Sequence, residues 1–221
     1  MEKYGTIPPR FTRAWWSYFW EYYKWHTIIS AAIILLVAMT IYQSVTSTKY
    51  DLTITNAGSV QLSEDLSDRL CEDLGEIISD SDANGEKNVF LQQLALGAAQ
   101  GDPEYEMAMT TKLTLEFSAG DSFIFIMSKQ LVDEYLNSSS SEGLFTPVEE
   151  WAEKMPESVS MAGGVAYGAD LSKSRYFSEL GIDMSDCRLL VREPRHNEEG
   201  DEKMMTQYEN AKAAANYLIA E

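Results

Sequence analysis

The residues with the most legible chemistry are Asp80-Ser81-Asp82-Ala83-Asn84-Gly85. Asp, Asp and Asn at alternate positions before a Gly match the first half of a calcium loop. There alternate side-chain oxygens face the cation and the Gly permits a sharp turn. The second half departs from that pattern. Position eight would be Lys87 in place of an apolar residue, and position twelve would be Leu91 in place of the bidentate Glu. Asp80, Asp82 and Asn84 are thus candidate metal ligands, with an acidic turn between a helix and a strand as the plainer alternative. Cys71 and Cys187 are the two thiols of the chain. A disulfide between them is chemically allowed outside the cytoplasm. Two separately buried thiols fit as well, because free Cys packs as a small hydrophobe.

The remaining candidates favour plain readings. His196 sits in the polar run from Glu193 to Gly200, without the positioned partner a general base needs. Gly163-Gly164 has no phosphate-loop or dinucleotide pattern around it and reads as a turn. No GxSxG, HExxH or kinase pattern occurs. The residues therefore imply no enzyme and no cofactor.

The elements that must position these residues follow from periodicity. Tyr50, Leu52 and Ile54 alternate with Asp51, Thr53 and Thr55, the period of a half-buried strand, and Asn56-Ala57-Gly58-Ser59 is expected to end it. Leu62, Leu66, Leu70, Leu74 and Ile77 form one stripe of an amphipathic helix. Val89-Phe90-Leu91 begins a second strand. Met107, Met109, Leu113, Leu115 and Phe117 hold a period of two, yet Pro103 and Glu104 suit a helix start, so this stretch is open between strand and helix. Phe123 to Met127 reads as a strand buried on both faces. Asn137 to Ser141 reads as a loop, Val165-Ala166-Tyr167 and Leu189-Leu190-Val191 as two more strands. Met204, Tyr208, Ala211, Ala215 and Leu218 mark a terminal helix. Alternating strands and helices predict one layered α/β domain with some parallel pairing over residues 50–221.

Ahead of that domain lies an uncharged apolar run from Ile28 to Tyr42. Taken over 27–46 it is long enough to cross about 30 Å of hydrocarbon. Trp15, Trp16, Trp20, Tyr22, Tyr23 and Trp25 crowd its N-terminal side, as in an interfacial aromatic belt against the lipid bilayer. Lys3, Arg10, Arg13 and Lys24 precede the span, while Lys49 alone follows closely. This asymmetry predicts a cytoplasmic segment 1–26 and a domain outside the cell. A cleaved signal peptide is the competing reading. Ser44-Val45-Thr46 is a poor cleavage site and the N-terminal region is long, which favours a retained signal anchor. Residues 1–49 carry five basic against two acidic side chains, a net +3. Residues 50–221 carry twelve against thirty-three, a net −21. So acidic a domain excludes general nucleic-acid binding.

Within the domain, the run from Lys112 to Ile126 (KLTLEFSAGDSFIFI) resembles a stretch of extracellular solute-binding proteins, in which a helix ends at an Ala-Gly turn before an apolar strand. Gly143-Leu144-Phe145-Thr146-Pro147-Val148-Glu149-Glu150-Trp151 resembles the family's following turn, and Tyr167-Gly168-Ala169-Asp170-Leu171 a later Tyr-Gly segment. The resemblance spans about 112–171. It implies a helix before Gly120, a bacterial host, and one solute-binding-protein-like lobe in a shortened, membrane-anchored form. The expected function is a non-enzymatic binding module for a small solute or surface partner, with Trp151 and Tyr167 as candidate ligand-lining aromatics. The alternatives are an accessory or scaffold subunit of a membrane complex, and a hydrolase acting through unidentified carboxylates.

Overall fold

Helix α1 runs from Arg13 to Thr46, where the apolar run continues back through the aromatic segment without a break. Its start is capped, because Thr12 Oγ1 accepts the Trp15 amide at 3.2 Å. At about 1.5 Å per residue its 34 residues span about 51 Å, well beyond a hydrocarbon core of about 30 Å. The computed structural model describes residues 9–46, 48–96, 102–138 and 143–221. The flanking Lys3 and the loop residues Ser139, Ser140 and Ser141 lie outside the described residues. The chain divides into two units, residues 1–48 and 49–221.

The second unit is built on a six-stranded mixed sheet in the order β2-β1-β3-β6-β5-β4. Its strands are β1 (Leu52–Ala57), β2 (Val89–Gln93), β3 (Ile124–Ser128), β4 (Val159–Ala162), β5 (Val165–Asp170) and β6 (Cys187–Val191). β1 pairs in parallel with both β2 and β3, while β6, β5 and β4 follow in antiparallel register. The parallel part comes from two crossovers through helices α2 (Glu64–Ile77) and α3 (Pro103–Ala119), as parallel neighbours require.

Alternation along the central strands feeds two cores. Leu52, Ile54, Ile124, Ile126, Leu189 and Val191 face α2, α5 (Val148–Trp151), α6 (Arg175–Glu179) and the terminal helix α7 (Glu202–Ile219). Phe125, Met127 and Leu190 face α3 and α4 (Lys129–Leu136) on the other side. This is a three-layer arrangement, and it explains why β3 and β6 are buried along both faces. The turn at Gly163-Gly164 is a two-residue hairpin loop joining paired Ala162 and Val165. Both glycines have positive φ, +58° and +88°, as a type I′ turn demands.

One sequence expectation shifts in detail and one open stretch is resolved. β1 continues through Asn56 and Ala57, where the chain was expected to leave the strand. Stretch 103–119, open between strand and helix by period, is helix: Asp102 caps it by accepting the Glu104 and Tyr105 amides.

Candidate functional site

The amino edge of β1 carries a cluster of charged groups. Asp51 is buried, and its carboxylate is held by three donors: Ser81 N and Ser81 Oγ, each at 2.7 Å, and Asn88 N at 2.8 Å. These bonds staple the start of β1 to the loop between α2 and β2. Asn210 of α7 clamps the same loop from its other side. Its Nδ2 donates to Ser79 O at 2.7 Å and to Asp51 O at 3.1 Å, and its Oδ1 accepts Ser79 N at 2.8 Å.

Within the loop, Asp80 Oδ1 accepts the Asp82 amide at 3.1 Å and Oδ2 accepts the Gly85 amide at 2.7 Å. The Gly85 amide, with help from the neighbouring backbone amides, holds the Asp80 carboxyl below the ordinary aspartate range. One carboxylate oxygen each from Asp51, Asp80 and Asp82 lie within 4.8 Å of one another. The Lys49 and Lys203 ammoniums approach Asp82 Oδ2 at 3.7 and 3.8 Å. Asn84 does other work: it is exposed, and its Oδ1 accepts the Glu86 amide at 2.7 Å, closing the turn. Of the half-loop, Asp80 and Asp82 are thus brought together and Asn84 is not. Asp51 was missed because it occupies an ordinary outward position in an alternating strand pattern, and only folding places the acidic loop above it.

The opposite, carboxyl edge of β1 and β3 is polar in a different way. Asn56 is buried, accepts the Gly58 amide at 3.1 Å, and donates to Val60 O at 2.9 Å. Gln93 at the end of β2 accepts the Leu62 amide at 2.7 Å and donates to Leu62 O at 2.9 Å. Ser59 Oγ lies 3.3 Å from Asp186 Oδ2, and Ser128 caps α4. Gly58 sits close: a Cβ there would stand 3.1 Å from Asn56 Oδ1 and 3.2 Å from Cys187 Sγ.

The two aromatic candidates are not brought together. Trp151 is buried in the core beneath α7, where its carbonyl accepts Asn216 Nδ2 at 2.6 Å. Tyr167 is half-buried against the other core, at the β5 position that the β4 register skips, a bulge. A groove of about 220 Å³ between the α5–β4 loop and the end of α7 is lined by Met155, Pro156, Asn216 and Ile219, with neither aromatic among its lining residues.

The disulfide is not formed; Cys71 and Cys187 are free thiols. Cys71 lies against the Leu91 backbone on β2, whereas Cys187 opens β6 beside Val60 and Ser59. β2 and β6 are three strand steps apart in the sheet, about 14 Å. Burial pushes both thiols above the ordinary cysteine range, so neither is a poised nucleophile. His196 is fully exposed, 3.7 Å from Glu199.

On α1, Trp16, Trp20, Tyr22, Tyr23 and Trp25 are exposed and Trp15 is half-exposed. Phe11, Trp15, Phe19 and Tyr23 form a ladder four residues apart, with successive ring centroids 5.6, 5.5 and 5.8 Å from one another. The helix is long and apolar enough to cross a membrane, and none of its most apolar window is buried. Comparison of the chain with family models, curated proteins and solved structures finds no match.

Proposed function

We propose that this chain is a single-pass membrane protein, with its N-terminus in the cytoplasm, that presents a non-enzymatic α/β binding domain outside the cell. The observation that carries the reading is the contrast between its two units. The 49–221 unit closes both faces of its own sheet with its own helices, while no residue in the most apolar window of α1 is buried. A lipid bilayer satisfies such a helix, and Arg10, Arg13 and Lys24, all ahead of its uncharged run from Ile28 to Tyr42, favour the N-in orientation.

The binding part of the reading rests on topology. The chain leaves β1 first to β2 on one side and then to β3 on the other, which makes the β1/β3 boundary a switch point. Open α/β sheets take ligands outside the carboxyl ends of their strands at such a point. Here that edge offers Ser59, Gln61 and Asp186 at the surface, suited to a small polar solute such as a sugar or an amino acid. The resemblance of 112–171 to solute-binding proteins supports the same assignment.

A second reading has its own observation. The aromatic ladder of α1 runs on into small residues Thr27, Ser30 and Ala31, which form a notch bounded by Tyr23 and Ile34. Small residues let transmembrane helices approach closely. An accessory subunit of a membrane complex would use this face. A thermal-melt screen of the full chain in detergent micelles, against sugars, amino acids and peptides, separates the two. A ligand at a hundredfold excess over its Kd stabilises the folded state by about 2.7 kcal/mol. A dose-dependent rise with one chemical class supports the binding module. A flat screen with co-purification of a larger assembly from membranes supports the accessory subunit.

A further inference from the structure

We propose that Asp51, Asp80 and Asp82 form a binding site for a hard divalent cation of the calcium class. The site is at the amino edge of the sheet, at the opposite end of β1 from any solute at the carboxyl edge.

The geometry is that of ligands around one ion. Oxygens bound to a calcium ion at 2.3–2.6 Å cannot stand more than about 5 Å apart. One oxygen from each of the three carboxylates already lies within 4.8 Å of the others. Two of the three are fixed in place before any ion arrives. Asp51 is held by Ser81 and Asn88, and Asp80 by the Asp82 and Gly85 amides. Asp80 and Asp51 Oδ2 receive one donor per oxygen, which leaves lone pairs for a metal.

The independent observation is Asp82. Its side chain is only 9 % exposed, and both carboxylate oxygens are out of solvent without a hydrogen-bond donor. A buried carboxylate in that state is costly, and natural proteins rarely leave one unsatisfied. Lys49 and Lys203 stand 3.7 and 3.8 Å from Oδ2, so they lend charge without a hydrogen bond. Three carboxylates against two ammoniums leave one negative charge over, and a cation among the carboxylates supplies the missing partner. Oxygen-only ligands select calcium or magnesium over zinc or copper.

The test uses the full chain in detergent micelles, stripped with EGTA and titrated with calcium chloride by calorimetry, with magnesium chloride in parallel. The expected result is one saturable calcium site per chain, with a Kd in the range of extracellular modules, about 10⁻⁴ to 10⁻³ M. Asp82→Asn should weaken it at least about tenfold, the effect of losing one ligand charge worth about 1.4 kcal/mol. Because Asp82 accepts no hydrogen bond, this variant keeps the loop's own bonds; a cooperative melt in EGTA verifies its fold, and Asp80→Asn stands in if that melt is lost. Lys203→Met removes a competing positive charge and should tighten calcium binding. The proposal is overturned by no saturable signal up to about tenfold above that range, by unchanged affinity in the aspartate variant, or by a Lys203→Met variant that binds no more tightly. The last result would place any bound calcium away from Lys203 and hence away from Asp82.

Discussion

Arg192 and Glu198 close a two-pronged ion pair inside the domain, Nη1 2.9 Å from Oε2 and Nη2 3.3 Å from Oε1, with both side chains almost wholly out of solvent. The guanidinium also donates from Nε to Ser122 O at 2.9 Å and lies 4.3 Å over the Phe123 ring. Glu198 accepts the Arg195 amide at 2.7 Å and the Arg195 guanidinium as well. The loop from β6 to α7 is thereby fastened to the entry of β3, and α7 is set where Asn210 clamps the acidic loop.

Breaking that pair from one side strands a buried charge. Glu198→Gln should lower the domain's unfolding free energy by about 3–5 kcal/mol. The double change Arg192→Met with Glu198→Met should cost less, since it removes both charges of the buried pair and leaves only the Arg195 donors and Ser122 O to find other partners. Urea unfolding followed by circular dichroism checks both, and equal costs would show that packing rather than charge holds the loop.

The same pair sets an acid limit. Burial pushes the Glu198 carboxyl up, but the Arg192 guanidinium and the Arg195 donors outweigh it, so its folded pKa lies below the ordinary 4.5. A depressed carboxylate contributes stability that is complete above its unfolded pKa and is lost as pH falls through the folded value. The melting temperature should therefore drop as pH is lowered below about 4.5, and the drop should be shallower in Glu198→Gln.

The hairpin at Gly163-Gly164 gives a sharper local test. Gly163→Val places a β-branched residue at a φ of +58° and should cost about 1–2 kcal/mol. Gly163→Asn should cost less, because Asn tolerates the left-handed region. Indistinguishable melts for the two would contradict the assigned turn.

Several of these elements were legible from residue spacing and others were not, for physical reasons. The stripe Leu70 and Leu74 of α2 and the apolar run of β3 announce themselves because burial selects apolar side chains at a fixed period. Stretch 103–119 misleads by period because Met107 and Leu115 are exposed apolar residues, 72 % and 59 %, while only Leu113 and Phe117, four apart, are buried. Strand β4 is a four-residue edge strand, too short for an alternation to register. Trp151 illustrates a limit of residue type: an aromatic in the stretch that resembles solute-binding proteins is a candidate ligand-lining residue, but it packs into the core. At the acidic site, Asp80 and Asp82 are visible as a local motif. Asp51 and Lys203 enter it from 29 residues before Asp80 and 121 after Asp82, so nothing local marks them.

Helix α1 should respond to charge as a spanning helix does. Leu35→Arg, near the middle of the apolar run, should disfavour insertion by about 2.5–3.5 kcal/mol and increase the fraction extracted by alkaline carbonate. An equally firm membrane association in the variant would point to an anchor other than α1.

If α1 holds the 49–221 domain outside the cytoplasm, protease added to intact cells should reach that domain. With a tag after Glu221, external proteinase K should remove the tag and degrade the domain in intact cells, while a cytoplasmic control protein survives. A tag that stays protected until the cells are permeabilised would place the domain in the cytoplasm and overturn the N-in orientation.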